Sequence, residues 1–412
     1  MKCPLTGMPI DSGQATTPTA IPPLWRLGFR PFFLGGALFS LLAVGLLVFV
    51  YVGGDLAWTP LGGLLGWHWH EMPFGFALAI VAGFLLTAVQ NWTGIPGVRG
   101  WPLVALAGLW GAGRLCWLAD APWWMAAVPE LLWLPLLAVF IAPSLRRTRQ
   151  MHNYPILVML ALLTLADALA LAGLARDRGD WQHNAALAAI WLIAALMTMI
   201  GGRVIPFFTR NALDLPGASP HAAPASLAAL LPDLMLMAAT LFVAALAAGG
   251  LTATPTLPLT VLFGLLALGH TLRLLRWHDH GIWRIALLWP LHVSYGWMML
   301  ACAGLALFHA GLPIPFNQAL HALTVGAMGG LVLAMIARVS LAHTGRPLEA
   351  PRLMGHAFLL FHLGAAARIF LTPWLPRAGL MVAASCWIAA FGLFLLCCGP
   401  MLCRPRVDGQ PG

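Results

Sequence analysis

Charge is what this sequence has least of. Only 8% of its 412 residues are Asp, Glu, Lys or Arg, against roughly 25% in a soluble domain whose surface must face water. With 60% of positions apolar and a mean hydropathy of +0.85, the chain has to find its solvent in lipid. Period-two alternation is missing too, and the apolar runs last about 18 to 24 residues, long enough for spanning helices. That excludes barrel strands and leaves helices, the other way to pair every backbone polar group inside a bilayer. No Walker A loop, nucleophile elbow or soluble nucleotide domain is present, which argues against a primary pump. The seven cysteines form no C-x-x-C pair and several lie inside apolar runs, so no disulfide framework is expected. A convincing signal peptide is also lacking: a mostly polar stretch comes first, and the run after it is too long for an h-region.

What charge there is follows a pattern. The net +9 is scattered in ones to threes, which suits anchoring of cytoplasmic loops and not a nucleic-acid face. Reading apolar runs between turn signals predicts twelve helices, near 31–52, 67–92, 101–118, 123–143, 153–174, 183–206, 226–249, 255–276, 284–308, 315–340, 355–371 and 376–398. The expected fold is all-α and polytopic: one transmembrane domain over 31–400, with a cytoplasmic N-terminal segment (1–30) and a cytoplasmic tail (401–412). With both termini inside, the inner ends collect 17 of the 22 Lys and Arg residues, and the outer ends only Arg114, Arg176, Arg178, Arg368 and Arg377. Adding or losing one helix would scramble this positive-inside bias.

One internal correspondence stands out. His70 to Thr93 in helix 2 and His321 to Thr344 in helix 10 are both intervals of 23 residues. Helix 6, midway between, ends on Gly202-Arg203-Val204, echoed by Arg338-Val339 in helix 10. Spacing by four helices hints at three four-helix pseudo-repeats.

The densest chemistry is Trp67-His68-Trp69-His70-Glu71-Met72-Pro73, at the outer mouth of helix 2. Imidazole is the commonest metal ligand, and ionisable groups at a membrane mouth are costly without a task; the bland reading is an interfacial belt of Trp and His. Residues 68 and 70 lie on different faces of a regular helix, although Pro73 permits an irregular first turn. His321 should match His70 in depth, so two imidazoles on different helices could ligate a haem from both sides. Gly326, Gly329 and Gly330 below it leave room for a flat macrocycle or for close helix packing. His292 lies a third of the way up helix 9, as a ligand or a satisfied core histidine. Near the inner ends, Arg203, Arg210, Arg338, His343 and Arg346 are either snorkelling anchors or a basic pocket for haem propionates, a quinone head or an anion. Weaker candidates are His152, His183, His221, His270, His278, His280, His356 and His362. Asp167 and Asp233 are read as core acids or as parts of a proton route.

Taken together these motifs resemble the NnrS family of bacterial membrane proteins. The residues that carry the likeness are the segment Arg26-Leu27-Gly28-Phe29-Arg30-Pro31-Phe32-Phe33 and six motifs: WHWHEMPFGF (67–76), GFLLTAVQNWTG (83–94), GGRVIPFFTRN (201–211), LHVSYGW (291–297), HALTVGAMGG (321–330) and RVSLAHTGR (338–346). The resemblance implies a protein binding haem b and copper that protects cells meeting nitric oxide. His68, His70, His292, His321 and His343 fall in its motifs and inherit the ligand expectation. Depth favours haem iron between His70 and His321, with copper at His68 or His292; Arg338 and Arg203 are the cofactor-binding arginines expected of a propionate pocket, although they lie at the inner ends, away from those two histidines. The architecture also looks like the catalytic subunit of haem-copper oxidases, although helix 6 lacks the interior histidine their copper site needs.

The function expected from this resemblance is a role in nitric oxide response in the bacterial inner membrane, its catalytic form being reduction of the gas by electrons from quinol or a redox partner protein. Two rivals stand beside it. A non-catalytic binder or sensor predicts ligand binding without turnover. A secondary transporter, for which twelve helices and internal symmetry are common, predicts no chromophore.

Overall fold

The computed structural model describes residues 21–54, 58–215 and 227–410; the start of the expected cytoplasmic segment and His221 lie outside them. Among the described residues there is no strand, and twelve long helices follow one another: α1 (Phe29–Tyr51), α2 (Gly63–Thr93), α3 (Trp101–Leu118), α4 (Trp123–Arg147), α5 (Tyr154–Ala175), α6 (Gly179–Ala212), α7 (Leu227–Ala248), α8 (Leu257–Trp277), α9 (Trp289–His309), α10 (Phe316–His343), α11 (Arg352–Leu371) and α12 (Pro376–Leu402). Every expected helix is present. Eleven are long and apolar enough to cross a membrane, and the other, α3, is 18 residues long and carries Arg114.

Local sequence explains where these helices start and stop. Proline stands in the first turn of α3, α5, α8, α9 and α12, where its missing N–H costs nothing. Gly94, at φ +68°, ends α2 in the left-handed conformation that glycine adopts without strain. The main boundary difference is α6, whose 34 residues overrun the expected 183–206 at both ends. At ~1.5 Å per residue it is about 51 Å long, well beyond a ~30 Å hydrocarbon core.

Three helices form the centre. The apolar stretches of α2, α6 and α10 are 83%, 67% and 72% buried, whereas no other spanning stretch exceeds 50%. These are the second helices of three successive groups of four, and both α2 and α10 pack on α6. The remaining helices pack on their sequence neighbours around this centre, and α1 closes the ring against α12. Arg30, fully buried, seals that closure: its Nη1 donates to the Leu402 carbonyl at 2.8 Å and the Arg404 carbonyl at 2.7 Å, at the end of α12. The start of α1 and the end of α12 therefore share one side, called proximal below; the mouths of α2 and α10 are distal.

The correspondence between α2 and α10 extends to the backbone. Immediately after His70, α2 widens into π-helix over Glu71–Ala77, and immediately after His321, α10 does the same over Ala322–Gly329. Pro73 lies inside the first, the irregular turn that its ring was expected to permit. A third π segment, Ala367–Leu371, lies in α11. Such wide turns are rare and concentrate at functional sites.

Candidate functional site

Two residues along a helix turn about 200°, and that turn separates His68 from His70. His70 faces α3, α4 and α5. Its ring is stacked between Trp117 (centroids 3.8 Å apart, planes at 15°) and Phe74 (4.9 Å, 28°). Its Nδ1 lies 2.9 Å from Glu71 Oε1 and its Nε2 lies 2.9 Å from Asp167 Oδ1. Arg114 of α3 extends the group, with Nε 2.9 Å from Glu71 Oε2 and Nη2 donating to Glu130 Oε1 of α4. Glycine makes the approach possible: a Cβ on Gly113 would sit 2.5 Å from Glu130 Oε1, and one on Gly75 would sit 2.9 Å from both Arg114 Nη1 and Glu71 Oε2. All five ionisable groups are at most 5% exposed. Burial on this scale is tolerated only where charge is balanced.

His68 faces the other way. It lies within electrostatic range of Arg368 in α11 and of His321 in α10, and it makes no hydrogen bond among the described residues. His68 and His321 are each the sixth residue of their helix, counting from Gly63 and Phe316. His321 Nδ1 lies 2.7 Å from the Asn317 carbonyl, and Arg368 Nη2 donates to its Nε2 at 3.1 Å. A carbonyl only accepts, so the proton is on Nδ1 and the Nε2 lone pair points towards α11. That tautomer, with Nδ1–H tied to a backbone carbonyl, is the usual one for a ligating histidine. Arg368 Nη1 is buried and has no hydrogen-bond partner.

The structure therefore does not join His70 to His321, the pairing expected from their equal distances to the inner Thr-Gly pairs. Rotation about α2 sends His70 into the carboxylate group and turns His68 towards α10. The space beneath His321 is likewise taken. A Cβ on Gly326 would meet Trp297 at 2.5 Å, one on Gly329 would meet Phe361 at 2.6 Å, and one on Gly330 would meet Ser294 Oγ at 2.4 Å. Close helix packing, the second of the two readings of these glycines, accounts for them.

The proximal candidates lie apart from both groups. His343 stands 22 residues after His321 on α10, about 33 Å away along the axis, so the two cannot share an ion. It lies 5.7 Å from the Phe29 ring, with Nε2 3.4 Å from Asn91 Nδ2. His292 has Nδ1 3.1 Å from the Leu288 carbonyl and borders an apolar cavity of about 320 Å³ with His278, Trp283 and Trp297. The two arginines expected to share propionates take different partners. Arg203, exposed, donates to Asn153 Oδ1 at 2.7 Å and to the His152 carbonyl at 3.0 Å, clamping the start of α5. Arg338, buried, lies 3.9 Å above the Phe208 ring.

Sequence reasoning passed over three residues that the structure places centrally: Glu130, Arg114 and Arg368. The first was not singled out and the other two were counted only as outer-end charges. A charge inside an apolar run is the signal that could have found them. Of the carboxylates it did single out, Asp167 joins the His70 group, and Asp233 pairs with Arg273 at 3.2 Å. Arg273 also donates to the Tyr295 hydroxyl, which lies 2.8 Å from His270 Nδ1. Among the described residues His70, Glu130 and Asp167 form the only group of three or more metal-ligating side chains, so no three-histidine copper set is brought together.

Fold and site together define a twelve-helix membrane protein that carries imidazoles, carboxylates and guanidinium groups inside the distal mouth of its bundle. The NnrS protein family matches residues 23–406. That is nearly the whole chain, which belongs to the NnrS family. No match is found among curated proteins.

Proposed function

We infer that this chain is a haem-holding protein of nitric oxide metabolism in the bacterial inner membrane, with both termini cytoplasmic and with His68 and His321 as the haem ligands. The observation that supports it is the group at the distal mouths of α2, α10 and α11. There His68 has no hydrogen bond among the described residues, His321 is fixed in the ligating tautomer, and Arg368 carries an unpartnered buried N–H. This donor set suits haem: imidazoles for the iron, and a guanidinium for a propionate, which it can grip with two parallel bonds. Bound there, haem would supply a one-electron couple. The protein's own part is to fix the orientation of the His321 ring through the Asn317 carbonyl and to bring His68 of α2, His321 of α10 and Arg368 of α11 into one group. Of the two positions favoured for copper, His292 keeps that role at its own proximal position, and His343 keeps only the general ligand expectation of the family motifs. Reduction of nitric oxide would need a metal position left open and electrons from quinol or a redox partner.

The test is the absorption spectrum of detergent-purified protein, oxidised and reduced, for the parent and for His68→Ala, His321→Ala and His70→Ala. A low-spin haem spectrum lost in the first two variants and kept in the third is the expected result. Loss in His70→Ala with retention in His68→Ala would restore the other pairing. A colourless parent protein, with haem supplied during expression, would overturn the haem reading.

A further inference from the structure

The carboxylate group around His70 does not close on itself. It holds three acids, Glu71, Glu130 and Asp167, against one guanidinium, Arg114, all with 5% exposure or less. With the acids ionised and the imidazole neutral, the group carries two uncompensated negative charges; with an imidazolium it still carries one. Isolated charge is not tolerated at this depth without a counter-charge. The hydrogen bonds tell the same story. A neutral imidazole donates through one nitrogen only, yet both nitrogens of His70 lie 2.9 Å from carboxylate oxygens that can only accept. Glu130 Oε2 and Asp167 Oδ2 are buried without any hydrogen-bond partner.

One species answers all of these at once. We propose that His70, Glu130 and Asp167 hold a single divalent first-row transition-metal ion, which ties α2, α4 and α5 together in the distal half of the bundle. Its two charges cancel the excess of the group with a neutral His70. The donor atoms of the three residues already lie within 4.8 Å of one another; ligands of a tetrahedral ion with ~2.0–2.2 Å bonds stand roughly 3.3–3.6 Å apart, so side-chain shifts of about an ångström complete the set. His70 keeps Nδ1–H on Glu71, the carboxylate partner that commonly orients a ligating imidazole, and presents Nε2 to the ion. One imidazole with two carboxylates suits zinc or ferrous iron and not cuprous copper, which favours sulfur. The site is separate from the His68–His321 pair, on the opposite face of α2, and does not depend on it.

The experiment uses full-length protein in detergent, stripped with a chelator, then exposed to Zn2+ alone and desalted, with metal content and thermal unfolding measured. The expected result is one zinc per chain and a raised Tm in the parent, retained in His68→Ala and His321→Ala, and lost in Glu130→Gln/Asp167→Asn. Should that double variant fail to fold, X-ray absorption at the zinc edge of the parent decides: a mixed nitrogen and oxygen shell is required, and a sulfur shell refutes the site. No retained zinc in the parent, the result expected if protons alone balance the group, overturns the proposal. So does zinc that survives in the folded double variant. Loss of haem from the His68 and His321 variants with zinc intact separates this site's fate from that of the haem reading.

Discussion

Arg114 is the only guanidinium among three buried acids, and removing it should be costly in a way the structure lets one work out. Arg114→Met keeps a side chain of similar length in the slot that Gly75 and Gly113 leave open. It strips the counter-charge from Glu71 Oε2, 2.9 Å away, and from Glu130 Oε1. Breaking a buried pair by deleting one partner costs about 3–5 kcal/mol, because the abandoned charge stays buried. On the scale of globular unfolding, ~2.1 cal/mol/K per residue gives about 0.9 kcal/mol/K for a chain of this length, so the Tm should fall by about 3–6 °C. The assay is thermal unfolding of chelator-treated protein in one detergent at one scan rate, since membrane proteins often unfold irreversibly. Chelation keeps any bound cation out of the comparison. Adding Glu130→Gln to Arg114→Met removes one abandoned charge and should recover part of the loss. A Tm within a degree of the parent, or a double variant whose loss is the sum of the two single losses, would refute the network, since coupled residues do not add.

Three further predictions follow from packing and charge elsewhere. Gly326→Ala places a methyl 2.5 Å from Trp297 Cγ, so it should destabilise by about 1–3 kcal/mol through overpacking, seen as a lowered Tm, whereas Gly355→Ala, with nothing within 4 Å, should be neutral. Arg30→Met orphans the carbonyls of Leu402 and Arg404 and should expose the end of α12 to limited proteolysis before the rest of the chain is cut. In the tail, hydrogen bonding from Arg406 holds the Asp408 carboxyl below its ordinary 3.8. A carboxyl lowered on folding stabilises above its unfolded value and loses that contribution as pH falls through the folded one. The pair is partly exposed and contributes less than about 1 kcal/mol. The small Tm difference between Asp408→Asn and the parent should accordingly be the same at pH 7 and pH 5 and close only below about pH 3.8.

The helices were legible in the sequence because the bilayer imposes a length and a polarity that composition records directly. Trp101–Leu118 is a clear instance: its bounds are those read from the sequence, although Arg114 weakens its apolar signal. Helix ends were less legible where a helix leaves the membrane. The first and last turns of α6 are polar, held by Asp180 at one end and Arg210 at the other, and lipid places no demand on them. The central position of α2, α6 and α10 was only hinted at by Thr-Gly and Arg-Val echoes, since spacing along the chain carries no statement about which helices share a centre.

The site shows the same division more sharply. Depth is a one-dimensional quantity, and counting residues from the inner ends placed the distal imidazoles on α2 and α10 at one level. Direction about the helix axis is a second quantity, and it depends on what each face can pack against. Trp117, Glu130 and Asp167 belong to α3, α4 and α5; their convergence on His70 follows from three helix contacts that no local pattern announces. Once those acids are known to face one side of α2, charge pairing draws His70 to them and leaves His68 turned towards His321 and Arg368. The regular helix over Gly63–His70 is enough to send the two imidazoles to opposite faces, and the π turn that follows begins at Glu71, the acid beside His70. A substitution that straightened that turn should therefore re-aim Glu71 and disturb the acid group around His70, whereas His68, which lies in the regular helix before it, should keep its direction.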